Sequence, residues 1–222
     1  MHKVIRRNKL GRDFVVGDLH GRYDLLKAAM AEHKFDKKTD RLFSVGDIIN
    51  RGPQSAKCLK LLKKPWFYMV LGNHEVSFIE AVKTGSLKSY ARQVDNWVDK
   101  VPRKDLKKWA RLLETYPVSM TLKSKSYKVG LCHAEPDGNS WHKTRAKKKS
   151  RMTMLRGRRV FHKKPKAKVK GIDFTVHGHT PLHKAKWIGN RYFVDTGAWY
   201  SNKLTFKTFD SIFKDYKKRS KA

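Results

Sequence analysis

An α/β fold, with sheets covered by helices, is predicted by three observations on this sequence. Five short β-rich apolar runs recur, helical patterns lie between several of them, and 222 residues suffice for one packed core. The first run, DFVVGDLHG at 13–21, precedes a helical pattern at 22–32 with Leu25, Leu26, Ala29 and Met30 on one face. RLFSVGD (41–47) follows, then a second helical face at 55–63 made by Cys58, Leu59, Leu61 and Leu62. WFYMVLGNHE (66–75) leads into a helical stretch at 75–83, and another spans 103–113. YKVGLCHAE (127–135) and FTVHGHTP (174–181) complete the five runs. The tail at 183–209 (KAKWIG, RYFVDTG, KLTFKTF) reads as a strand-rich meander. No internal repeat divides the chain, and the expectation is a single domain over 1–222.

Charge sets this chain apart from an ordinary globular protein. Its 52 Lys and Arg against 19 Asp and Glu give a net charge of +33, which attracts polyanions and says little about fold. The stretch 138–172 holds no acid and 14 Lys or Arg, and reads as a basic excursion joining two core strands. It is either a solvated surface or a docking surface for nucleic acid or acidic phosphoproteins, with Trp141, Phe161 and Trp187 as candidate base-stacking groups. Only Cys58 and Cys132 occur, so there is no disulfide framework and a reducing compartment is expected. The run at 14–17 is too short for a signal-peptide core, and no stretch approaches the roughly 18 apolar residues of a membrane span. The expected location is cytoplasmic, with no membrane partner.

Each of the five runs ends at Gly or His followed by a metal-capable side chain. Ligands in open α/β sheets gather beyond the carboxyl ends of strands, where these groups stand. Asp18, His20, Asp47, Asn73, His133 and His179 supply two carboxylates, one carboxamide and three imidazoles. That set suits Mn²⁺, Fe²⁺ or Zn²⁺ and is too rich in nitrogen for calcium. Six ligands exceed the needs of one open catalytic ion but fit two ions about 3.5–4 Å apart that share a carboxylate. A lone strand-end Asp or His is ordinarily a cap, yet capping would have to explain five clusters separately. His2, His33, His142, His162 and His183 read as surface groups, and His177 as support for its strand end.

The segments GDLHG, GD-x-x-x-RG, GNHE, CHA and GHTP stand in an order and spacing that resembles the calcineurin-like metallophosphoesterases. Within them the chain is most similar to the lambda-type serine/threonine protein phosphatases, through FVVGDLHG, PWFYMVLGNHE and YFVDTGA, over roughly residues 13–209. The resemblance implies a sandwich of two mixed β-sheets flanked by helices. It also implies two divalent ions, manganese by expectation with iron or zinc as alternatives, and a phosphoprotein or phosphopeptide substrate. By position, Asp18, His20 and Asp47 hold one ion, while Asp47, Asn73, His133 and His179 hold the other. Two such cations acidify a bridging water, which attacks the phosphoryl group in line.

Two arginines are expected to bind the phosphoryl oxygens. Arg51 is assigned by its motif, and Arg158 by its place in MLRGRRV, where Arg156 replaces a tryptophan of the family. His74 is placed to protonate the leaving oxygen. Asn50 departs from the family, which carries an aspartate paired with that histidine; the amide oxygen is expected to accept from the imidazole and orient it without charge. Leu71 likewise replaces a common arginine. Symmetrical dinucleoside tetraphosphatases and cyclic-nucleotide phosphodiesterases share every metal motif and are the enzymatic alternatives. A polyanion-binding protein with a weakened phosphatase site is the alternative of another class.

Overall fold

The structure is a computed structural model that describes residues 2–146, 148–163 and 167–220. Residues 147 and 164–166 of the basic stretch lie outside the described residues. The strands are β1 (His2–Ile5), β2 (Asp13–Val16), β3 (Arg41–Ser44), β4 (Phe67–Met69), β5 (Ser119–Lys123), β6 (Lys128–Cys132), β7 (Phe174–His177), β8 (Lys186–Ile188), β9 (Arg191–Phe193) and β10 (Phe206–Thr208). They form a six-stranded sheet in the order β1-β5-β6-β7-β9-β8 and a four-stranded sheet in the order β10-β2-β3-β4. The helices are α1 (Tyr23–Glu32), α2 (Ser55–Leu59), α3 (Asn73–Thr84), α4 (Leu87–Gln93) and α5 (Arg103–Glu114) in the first part of the chain. Then come α6 (Trp141–Ala146), α7 (Arg151–Arg156), α8 (Arg159–Lys163), α9 (Ala198–Ser201) and α10 (Phe209–Arg219). Two mixed sheets flanked by helices are thus what the chain forms.

The apolar runs are continuous rather than alternating because their strands are covered on both faces. On β2, Val15 packs with Phe43, Val70, Leu131 and Val176 in the layer between the sheets. Its neighbours Phe14 and Val16 face the opposite way, into a cluster with Leu26, Leu42, Leu59 and Phe78 from strand and helices. Both β2-β3-β4 and β6-β7-β9 are parallel, with Val16 opposite Ser44, Ser44 opposite Met69, and Leu131 opposite Val176. Parallel register delivers every following loop to the same edge of its sheet.

The tail is not a meander. β8 and β9 form an antiparallel hairpin at the edge of the six-stranded sheet, whereas β10 crosses over to pair antiparallel with β2. The strand pattern ends at Thr208 because its side chain caps α10, accepting from Ser211 N at 3.1 Å. Phe209 and Ile212 of α10 then join the layer between the sheets. β1 and β5 were not anticipated, since neither ends at a glycine and metal-capable pair.

The described residues of the basic stretch are anchored to the core. Trp141, Met154, Leu155, Val160 and Val169 are buried along it, and the Trp141 indole donates to Thr121 Oγ1 at 2.7 Å. Its ring lies against Gly130, where any Cβ would strike it. Apolar side chains spaced between lysines anchor these helices, and the lysine density concealed that spacing. Trp141, and Trp187 on β8, are buried and do not present the base-stacking faces expected of them. His142, His162 and His183 are exposed, but His33 is half-buried against Phe14 and Phe206. His2 is half-buried too, between Ser119 and Thr121. Cys58 and Cys132 are buried free thiols. No helix among the described residues is long and apolar enough to cross a membrane.

Candidate metal centre

The loops leaving the parallel strands turn sharply inward, with left-handed backbone at residues that normally avoid it. His20 (φ 41°), Asp47 (φ 48°), Asn50 (φ 71°), Arg51 (φ 71°) and His179 (φ 69°) all adopt it. Such conformations cost about 1–3 kcal/mol each and persist where the surroundings impose them, commonly at functional sites. Close approach is needed as well: a Cβ on Gly72 would overlap Asp47 Oδ1, and one on Gly178 would overlap Asp18 Oδ1. Asn73 and His74 open α3, with Gly72 as its N-cap.

Asp47 stands between two groups of nitrogen donors. Its Oδ2 lies 3.2 Å from His133 Nε2, 3.8 Å from His20 Nε2 and 3.9 Å from His74 Nε2. Ligand atoms of His20, Asp47 and His74 all fall within 4.8 Å of one another, as do those of Asp47, His133 and His179. The first group contains His74 where position in the motifs places Asp18. Asn73 Oδ1 sits 3.1 Å from His133 Nε2, and Asp18 Oδ2 accepts from His179 N at 3.0 Å. His20 and His133 donate Nδ1–H to the Ile49 and Val45 carbonyls at 3.0 and 2.8 Å, leaving each Nε2 lone pair for an ion.

The charges fit cations. Asp18, Asp47, Glu75 and Asp195 are buried together, and Asp18 Oδ1 has no hydrogen-bond partner among the described residues. Burial, then the Asp195 and Asp47 charges, push Asp18 well above the usual carboxylate range. Asp47 shifts the other way: burial opposes its charge, but His133 and His74 outweigh that and hold it well below the range. Burial lowers His20 to about 3 and, with help from His133, lowers His179 to about 3, so both imidazoles are neutral. His133 shifts up instead, burial being outweighed by the Asp47 charge, and an acidic cluster faced by three imidazoles has the donor chemistry of a site for divalent cations.

The two expected arginines both reach this centre. Arg51 Nη1 lies 3.1 Å from His20 Nε2, and Arg158 Nε lies 3.4 Å from His179 Nε2. Arg156 points instead to Ser77 Oγ at 3.1 Å, and the Arg159 backbone is bound by Glu135. His74 N donates to Asp47 Oδ1 at 2.9 Å. Asn50 touches His74 with its amide nitrogen, Nδ2 to Nδ1 at 2.7 Å, not with its oxygen as the sequence suggested. The oxygen is taken by Trp97 Nε1 at 2.6 Å and Tyr90 OH at 3.0 Å. Leu71 is buried in the core, its N–H bonded to Pro117 O.

Several supporting residues escaped the sequence reading. Glu75 accepts from the backbone N–H groups of Asp47, Ile48 and Gly72 at 2.8–2.9 Å, fixing the Asp47 loop to the start of α3. Its spacing three residues after Gly72 was the available signal, that of a capping box. Glu135 binds the first N–H groups of α8 at 3.0 and 2.7 Å, which aims the preceding Arg158. Asp195 follows β9 at the same edge; its position at the end of an apolar run in YFVDTGA was the cue. His177 is buried as expected, bonding Cys132 O and Thr175 Oγ1.

The profile of the calcineurin-like phosphoesterases matches residues 14–216. The chain is 30% identical over 197 residues to serine/threonine-protein phosphatase 2 of Salmonella typhimurium, covering 87% of this chain and 90% of that protein. A symmetrical bis(5'-nucleosyl)-tetraphosphatase of Hamiltonella defensa is 42% identical over 79 residues, covering 35% of this chain and 28% of that one. Among solved structures, a serine/threonine phosphatase of Saccharomyces cerevisiae superimposes with a TM-score of 0.62 at 17% identity, covering 90% of this chain and 73% of that chain. A likeness at that identity speaks to the fold.

Proposed function

This chain belongs to the calcineurin-like phosphoesterase family, and from that premise we propose a broad-specificity protein phosphatase, of the serine/threonine type, in the cytoplasm. The chain is a metal-dependent phosphatase. One observation supports the mechanism: Asp47 belongs to both groups of side chains whose ligand atoms could hold an ion. Asp18, His20 and Asp47 would hold one ion, and Asp47, Asn73, His133 and His179 the other, with Mn²⁺ the expected metal. Bound there, two divalent ions supply Lewis-acid polarisation of the phosphoryl oxygens and an acidified water as nucleophile.

The chain's own side chains do the rest. Arg51 and Arg158, one beside each imidazole group, present guanidinium forks to the phosphoryl oxygens. His74 faces the leaving oxygen with Nε2. The carbonyls of Ile49 and Val45 keep His20 and His133 turned inward. Support for a protein substrate is the extent of likeness to the bacterial protein phosphatases, over 87% of the chain; tetraphosphatases align over 32% to 49% of it.

Chelation is expected to abolish hydrolysis of phosphopeptides, and Mn²⁺ to restore it best. The assay includes dinucleoside tetraphosphates and cyclic nucleotides beside the phosphopeptides. Full activity in protein shown to be metal-free by elemental analysis would overturn the two-ion site. Faster turnover of tetraphosphates than of phosphopeptides would replace the protein phosphatase reading.

The net charge of +33 favours a second, additional property, binding of nucleic acid or another polyanion. Arg151, Lys163, Lys168 and Lys170 are exposed along the basic stretch. Affinity for DNA is expected to fall steeply with salt, and changing these four residues to Gln to flatten the log–log slope by about 0.9 per lost phosphate contact. Absence of binding at low salt would leave only a solvated surface.

A further inference from the structure

We propose that a groove between α1 and the segment leading into β4 docks phosphoprotein substrates, taking an acidic stretch of peptide that carries one bulky apolar side chain. The inference rests on the protein phosphatase reading and adds a place where the substrate is held apart from its phosphate.

The groove encloses about 380 Å³, within the size range of sites that take ligands. Its floor is apolar: Trp66 and Leu61 are buried, and Met30 and Phe35 are half-buried against the core beneath. Three lysines stand around that floor, Lys27 on α1, Lys37 on the loop after it and Lys64 just before β4. All three are exposed, and none has an ion pair among the described residues. No acid lines the groove, although Glu32 and Asp36 are near in sequence. Asp36 turns its carboxylate into its own loop, accepting from Lys38 N at 2.9 Å and Thr39 Oγ1 at 3.0 Å.

An apolar floor ringed by unpaired cations selects a ligand with an apolar anchor and anionic groups around it. Carboxylates spread along a peptide can meet lysines contributed by three separate segments. The length agrees: Tyr23 and Ala31 of the groove wall are eight residues apart on α1, about 12 Å at 1.5 Å per residue. Four extended residues cover about 13 Å. The groove is also apart from the metal centre. Phe35 precedes β3 and Trp66 precedes β4, whereas Asp47 and Asn73 follow those strands. From the metal edge, three residues after His20, α1 leads back along the sheet to this opposite edge. A segment held here leaves the centre free for a phosphorylated residue of the same substrate chain, whose local concentration it raises.

The first test is fluorescence anisotropy with a labelled, unphosphorylated peptide, a phenylalanine flanked on both sides by aspartate and glutamate. It is expected to bind at least about tenfold more tightly than its alanine counterpart of equal charge. Lys27→Glu, Lys37→Glu and Lys64→Glu together should weaken it about tenfold or more. Lys214→Glu, Lys217→Glu and Lys218→Glu remove the same net charge from α10, on the other face of the four-stranded sheet, and should change it by less than about twofold. The second test joins a phosphoserine peptide to this segment through a ten-residue Gly/Ser linker, about 16–19 Å in root-mean-square span. With Mn²⁺-loaded protein the joined peptide should show a KM about tenfold lower than the phosphopeptide alone at equal kcat, a gain that the groove variant loses. Equal weakening in both lysine variants, or equal binding of the alanine peptide, would reduce the effect to net charge and overturn the proposal. A nucleoside triphosphate or an anionic lipid vesicle bound through these lysines where the peptide is not would overturn it too, as would peptide binding that leaves KM unmoved. Failure to hydrolyse any phosphopeptide would overturn the phosphatase reading instead, and the anisotropy would still judge the groove.

Discussion

Asp47→Asn is expected to strip the protein of metal and lower phosphopeptide turnover by at least about a hundredfold. Residues that merely orient metal ligands typically cost 10- to 100-fold when changed, and Asp47 belongs to both candidate ligand groups. Its Oδ2 is the oxygen that His20, His74 and His133 all approach, at 3.8, 3.9 and 3.2 Å. An amide in its place keeps the shape and the bond from His74 N to Oδ1, but removes the charge. Elemental analysis and turnover are measured on the same preparation. Unchanged metal content with wild-type turnover would show that no shared ligand is needed.

Glu75→Ala is expected to cost about 3–9 kcal/mol of stability, because three buried backbone N–H groups lose one acceptor at about 1–3 kcal/mol each. The loss should appear as a lower midpoint in urea unfolding of the metal-free protein. A pH signature accompanies it. Burial and the Asp47 charge push Glu75 up to about 7, above its ordinary 4.5. The folded chain therefore holds a proton that the unfolded chain has released, and stability falls as pH rises from about 4.5 to 7. Removing the carboxylate removes that slope. A loss below about 1 kcal/mol would mean the N–H groups find other partners.

Much of this was legible because parallel strands buried on both faces announce themselves as apolar runs, and the residues just after them fall at one edge. Asp18, His20, Asp47, Asn73, His133 and His179 were singled out that way. Asp195 obeys the same rule but sits in the tail, where a glycine two residues later disguised the strand end as a turn. What the sequence concealed was pairing at a distance. Nothing near Asn50 announces Tyr90 or Trp97, which lie 40 and 47 residues away on different elements. The direction of the Asn50 amide depends wholly on them. The crossing of β10 was hidden for a similar reason: β9 lies between β7 and β8, and KLTFKTF pairs with β2 of the other sheet.

The division of donors between sheets bears on how the protein is made. Asp18, His20, Asp47 and Asn73 follow β2, β3 and β4, while His133 and His179 follow β6 and β7 of the other sheet. On the ribosome, the first four are synthesised well before the partners that complete the centre. β10, which closes the four-stranded sheet against β2, comes at residues 206–208, some 135 residues after Asn73. At about 5–20 residues per second that interval lasts roughly 7–27 s. For the first 106 residues after Asn73, until His179 is made, the nascent chain lacks part of this donor set, on a half-layer whose Val15, Phe43 and Val70 await Leu131 and Val176 of the other sheet. An ion held by all six donors would therefore bind only after the two halves have met.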